Sequence, residues 1–141
     1  MKRTIEFKIL SPERTVYAST VEKVTVRTVT GDITILPKHM SLVSLLAPGE
    51  LVVYKDDTPH GFVIADGIVE VKPDSRVVVL ADVAERAEEI DEEEANKARR
   101  RAEKMLEGKE SLSSEQFAKF QAILEREMAK IKVARKYHRK A

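Results

Sequence analysis

Few residues in this chain have the means to do chemistry, and their spacing points away from catalysis. The three histidines, His39, His60 and His138, are scattered, with no spacing that resembles a metal-ligand set. Cysteine is absent, which removes disulfides, thiolate zinc sites and a cysteine nucleophile. Five glycines leave little material for a phosphate-cradling loop, and no Gly-x-Ser-x-Gly elbow or His-Glu-x-x-His pair occurs. The acidic run Glu92-Glu93-Glu94 occupies consecutive helical positions, so its carboxylates diverge; it reads as a helix start, where the macrodipole favours anions. No metal site and no catalytic residue is expected.

The one concentration of functional charge is basic and C-terminal: Lys130, Lys132, Arg135, Lys136, Arg139 and Lys140, with Lys119, Arg126 and Lys130 projecting together from one helix side. Such a set is either a solvated helix end or a contact for an acidic protein partner. Nucleic acid fits less well, because Phe117 and Phe120 fall on a core stripe and no stacking surface accompanies the charge.

The elements that position these residues follow from patterning. Charges almost cancel, 25 Lys and Arg against 24 Asp and Glu, and 43% hydrophobic residues suffice for a folded core. No apolar run approaches the ~18 residues of a membrane span, and the start of the chain lacks a signal-peptide pattern, so neither insertion nor secretion by that route is expected. Up to about residue 83 apolar residues mostly alternate, as in Ile5, Phe7 and Ile9, in short runs divided by turn signals at Pro48-Gly49, Asp66-Gly67 and Pro73-Asp74. That pattern predicts an antiparallel β-sandwich or barrel over residues 1–84, with a linker at 85–90. Residues 91–141 predict an antiparallel two-helix hairpin, the helices at about 91–107 and 114–138, for an α+β chain that is all-β and then all-α.

Asp91 with Glu94, and Ser113 with Gln116, mark both helix starts as reciprocal caps. Ala95, Ala98, Ala102, Met105 and Leu106 form one apolar stripe; Phe117, Phe120, Leu124, Met128 and Ile131 form the other. Alanine buries little area, so the seam is expected to be modest and the hairpin detachable. The second helix, on the order of 37 Å long, outlasts its partner, and its basic tip is expected to have little to pack against.

The stretch Gly31-Asp32-Ile33-Thr34-Ile35-Leu36-Pro37-Lys38-His39-Met40-Ser41-Leu42-Val43, followed by Asp66-Gly67-Ile68-Val69-Glu70-Val71 and Val79-Leu80-Ala81-Asp82, resembles the epsilon subunit of F-type ATP synthases. The resemblance extends from Ser11-Pro12-Glu13 through both helices. Thr34 and Lys38 stand where the family often has glycine, Ser41 where it has proline, and Asp66 where a second glycine is usual.

What the resemblance implies is a non-catalytic central-stalk subunit, peripheral to the cytoplasmic face of a bacterial cell membrane, that couples the gamma subunit to the c-subunit ring. Asp32, Pro37, Lys38 and His39 are then candidates for the ring-facing surface. The helical arm would lie on the sandwich or extend into the alpha/beta catalytic head, where Arg126, Lys130 and Arg135 would make charge contacts and inhibit ATP hydrolysis. No cofactor is required. Some relatives hold the arm down with ATP through Ile/Leu-Asp-x-x-Arg-Ala; the matching residues here are Ile90, Asp91 and Ala95, with Arg101, Arg126 and Lys130, but Glu94 replaces the motif's arginine. Two other readings fit the residues: a free-standing β-sandwich adaptor with a docking arm, and a small-ligand sensor.

Overall fold

The computed structural model describes residues 3–108 and 111–138, so Arg139 and Lys140 of the basic set lie outside the described residues. Seven strands come first: β1 (Ile5–Leu10), β2 (Thr15–Val21), β3 (Lys23–Thr28), β4 (Gly31–Ile35), β5 (Leu42–Lys55), β6 (Thr58–Lys72) and β7 (Arg76–Arg86). A 3₁₀ turn (Ala87–Glu89) leads to helices α1 (Glu92–Glu107) and α2 (Ser114–His138).

The strands hydrogen-bond in the order β2-β1-β7-β6-β5-β3-β4. All neighbours are antiparallel except β1 and β7, which run parallel from Glu6↔Arg76 to Leu10↔Leu80. This departs from the purely antiparallel expectation; a parallel pair needs a long crossover, and the intervening strands supply it. The sheet curls over its own core. The Glu22 amide donates to the Tyr54 carbonyl at 2.8 Å, which ties the end of β2 to β5, and the Tyr17 and Phe62 rings meet edge-on at 5.1 Å. Between the layers lie Ile5, Phe7, Ile9, Val24, Val26, Leu51, Phe62, Val69 and Val79, with no helical residue among the buried members of this core.

Pro48-Gly49 and Asp66-Gly67, expected as turns, lie inside two continuous strands of 14 and 15 residues. They sit opposite one another, where the pairing passes from Leu46↔Gly67 to Gly49↔Ile64. Asp66 has φ 56°, and the buried set changes parity across it, from Phe62 and Ile64 to Val69 and Val71. A kink of this kind lets one strand pair serve both layers. Glycine is required at position 67, because a Cβ there would collide with the Leu80 carbonyl and Ala81.

Asp91 caps α1 by accepting from the Glu94 amide at 3.0 Å, and Ser113 and Gln116 form a reciprocal capping box at 2.9 and 3.1 Å. Glu94 does not return to Asp91 in the described contacts; its carboxylate lies 3.7 Å from Arg101. Ala95, Ala102 and Ile131 are buried in the hairpin, whereas Phe117 and Met128 stay exposed because the alanine side is too short to cover them, and Met105 at the end of α1 is exposed as well. The last turns of α2 overturn the expectation of an unpacked tip: Val133 and Ala134 are buried on the sandwich against Val63, Ala87 and Ile90. The 3₁₀ turn after β7 supplies the missing packing surface, since it folds Ala87 and Ile90 beneath α2.

Candidate functional site

Helix α2 is clasped to the sandwich by a small apolar seam bordered with charge. Ala129, Val133, Ala134 and Tyr137 meet Val63 of β6 together with Ala87 and Ile90. Tyr137 lies against bare backbone at Gly61, where a Cβ would come within 2.5 Å of its hydroxyl oxygen and nearer still to its ring. Burial, and next the neighbouring Glu50 carboxylate, push the Tyr137 hydroxyl well above the ordinary tyrosine range, so it stays protonated.

Among the described residues, four of the six Lys and Arg side chains of α2 are paired: Arg126, Lys130, Arg135 and Lys136. Arg126 reaches Asp66 at 3.7 Å, Lys130 reaches Glu85 at 3.3 Å, and Lys136 reaches Glu50 at 2.8 Å, each crossing from arm to sandwich. Arg135 pairs with Glu92 of α1 at 2.7 Å, and the His138 ring is 3.1 Å from the Ala87 carbonyl. Glu127 is only 5% exposed and lies 3.4 Å from Arg126 and 3.5 Å from Lys130. Apart from those of the buried Glu127, these are partly exposed pairs, which contribute about 0–1 kcal/mol each. Their combined effect is a clasp that holds without being strong.

The candidate nucleotide residues do not converge on an open cavity. Ile90 is buried under α2, Asp91 is committed to its cap, Ala95 is in the hairpin seam, Arg101 pairs with Glu94, and Arg126 and Lys130 are engaged as above. A groove of about 980 Å³ runs along the other flank of α2, lined by Arg27, Gly49, Asn96, Arg99, Met128 and Lys132 among others, and it includes none of those six. Among the described residues no His, Asp or Glu group is arranged to hold a metal ion.

Of the candidate ring-facing residues, Asp32 pairs at 3.1 Å with Arg27, which itself lines the groove beside α2, and Pro37-Lys38-His39 form a turn in which Lys38 has φ 66° and donates its amide to Ser75. The outer face of the sheet carries a feature that strand alternation does not reveal. Leu45, Ile68, Leu80 and Leu10 are direct cross-strand neighbours over β5, β6, β7 and β1, and they form an outward row. Leu45 is 61% exposed; Val29, Val43, Leu36 and Met40 flank the row and are more than half exposed. The clue in the sequence is that Val77-Val78-Val79-Leu80 is apolar at both parities, as in a strand whose two faces are both covered. An uncovered apolar face of this kind marks a protein interface.

Comparison with known proteins places both halves together. Residues 4–87 match the beta-sandwich domain of the ATP synthase delta/epsilon chain, and residues 88–135 match its long alpha-helix domain. The chain is 38% identical to an ATP synthase epsilon chain from Herpetosiphon aurantiacus over 93% of its length and 94% of that protein. With the corresponding chain of Desulforudis audaxviator it shares 49% identity over 76% of its length and 77% of the relative. Among solved structures it resembles a chain of the Euglena gracilis mitochondrial ATP synthase OSCP/F1/c-ring assembly, with a TM-score of 0.76, 25% identity, and 90% and 79% of the two chains covered.

Proposed function

The chain belongs to the ATP synthase delta/epsilon-chain family, as a subunit that performs no catalysis itself, and we propose that it is a central-stalk coupler whose helical hairpin is a releasable inhibitory arm. The observation that carries this reading is the two-ended construction of the sandwich. Beyond the Asp66 kink it presents the apolar row Leu45–Ile68–Leu80–Leu10, suited to lasting attachment to the gamma subunit. Before the kink it holds α2 by a seam that is small and by ion pairs that are partly solvated, suited to release.

In this reading Asp32, Pro37, Lys38 and His39 face the c-subunit ring. Arg126, Lys130 and Arg135 exchange Asp66, Glu85 and Glu92 for acidic segments of the catalytic head when the arm extends. The exchange explains how a basic helix is stable both docked and extended: its cations have carboxylate partners in each state. Attachment to the membrane is peripheral, through the rotor at its cytoplasmic face; no helix among the described residues is long and apolar enough to cross it. Coupling needs no cofactor, and ATP as a regulatory ligand of the arm would have to win Arg126 and Lys130 from their carboxylates. The test is co-purification of the full chain with gamma. Stoichiometric capture is expected, and a chain that binds neither gamma nor the catalytic head is an adaptor of another kind.

A further inference from the structure

Among the described residues the buried polar side chains are Thr28 and Glu127, and only Glu127 is charged. Thr28 is accounted for by its hydrogen bond to the Gly31 carbonyl at 2.6 Å. Glu127 calls for a different explanation, because a carboxylate taken out of water is tolerated only where charge meets it. Arg126 and Lys130 do so at 3.4 and 3.5 Å, and each also reaches across to the sandwich, to Asp66 and Glu85. Two cations therefore serve three carboxylates, and the middle one is buried on the arm itself.

We propose that Glu127 is a built-in anion: it occupies the position between Arg126 and Lys130 that a phosphate group would otherwise take, so that the arm docks without an exogenous ligand and phosphate-bearing ligands are excluded. With Glu127 present the cluster is over-neutralised and repels a further anion. Without it, two cations face a vacancy flanked by two carboxylates that are more exposed than Glu127. The consequence for regulation rests on the arm reading above, but the binding claim does not, since it concerns the isolated chain.

The experiment is calorimetric titration of the isolated full chain, wild type, Glu127→Ala and Glu127→Gln, with inorganic pyrophosphate and with ATP, alongside trypsin protection of α2. Wild type is expected to bind neither at millimolar concentration. Glu127→Ala is expected to bind both at least about tenfold more tightly than wild type, with pyrophosphate about as effective as ATP because the cluster offers cations and nothing for a base. If either variant undocks, millimolar pyrophosphate should restore trypsin protection, as linkage requires of a ligand that binds only the docked form. Millimolar or tighter binding by wild type that is lost in Arg126→Ala would overturn the proposal. So would variants that gain neither binding nor ligand-dependent protection. None of these results bears on gamma capture, so the two readings fail separately.

Discussion

Replacing Gly61 with alanine tests the clasp at its tightest point. The backbone there is not in the left-handed region, so strand β6 accepts alanine, and the gain of about 0.5–1 kcal/mol over glycine is common to docked and undocked states and cancels between them. What does not cancel is the new Cβ, which would overlap the Tyr137 ring and expel it. Full burial of a large side chain is worth about 1.5–3 kcal/mol; Tyr137 is half-buried, but Val133 and Ala134 lift with it, so a loss of about 2 kcal/mol is reasonable. That corresponds to about a 30-fold shift toward the undocked arm. Limited trypsin digestion of the isolated chain reads the shift at Lys132, Arg135 and Lys136, because cleavage follows the open population when reclosing is fast. Tyr137→Ala should reproduce the effect, and adding Gly61→Ala to it should change little, since both remove one contact. A cleavage rate for Gly61→Ala within about threefold of wild type would refute the reasoning.

Raising salt from about 0.1 M to 1 M shortens the Debye length from about 10 to about 3 Å and should loosen the arm by up to about tenfold in the same digestion; salt-independent protection would mean the ion pairs contribute nothing. Arm docking should be insensitive to the Tyr137 hydroxyl up to about pH 10 and weaken above it, because the free tyrosine loses its proton there while the docked one, its pKa raised, retains it. Tyr137→Phe should remove that part of the alkaline loss, which a pH series of trypsin protection checks. Leu45→Asp, at an exposed site, should leave thermal stability within about 0.5 kcal/mol of wild type, yet weaken gamma capture by at least about tenfold in a titrated pull-down.

Local signals in this sequence were readable and distant ones were not. The pairs Asp91 with Glu94 and Ser113 with Gln116 identified both helix starts because capping is a contact over three residues. Asp66-Gly67 and Pro48-Gly49 mislead, since a turn-forming residue beside a glycine looks the same in a turn as in a mid-strand kink; only the facing register reveals which it is. Arg126, Lys130 and Arg135 stood out as cations, but Asp66, Glu85 and Glu92 lie tens of residues earlier, and no periodicity links a helix to carboxylates on another element. Glu127 looks in the sequence like any of many surface acids, because its burial is created by the docking of α2 on a surface that no local pattern announces.

The central claim, that the hairpin is an inhibitory arm on a structural coupler, is most directly tested by the ATP hydrolysis rate of a reconstituted catalytic head with gamma, comparing the full chain with one truncated after Ala87. The buried main core contains no helical residue, so the truncated sandwich keeps its packing and its exposed apolar row. The account predicts faster hydrolysis with the truncated chain. An unchanged rate while the sandwich still binds gamma would contradict it and leave a coupler without a switch.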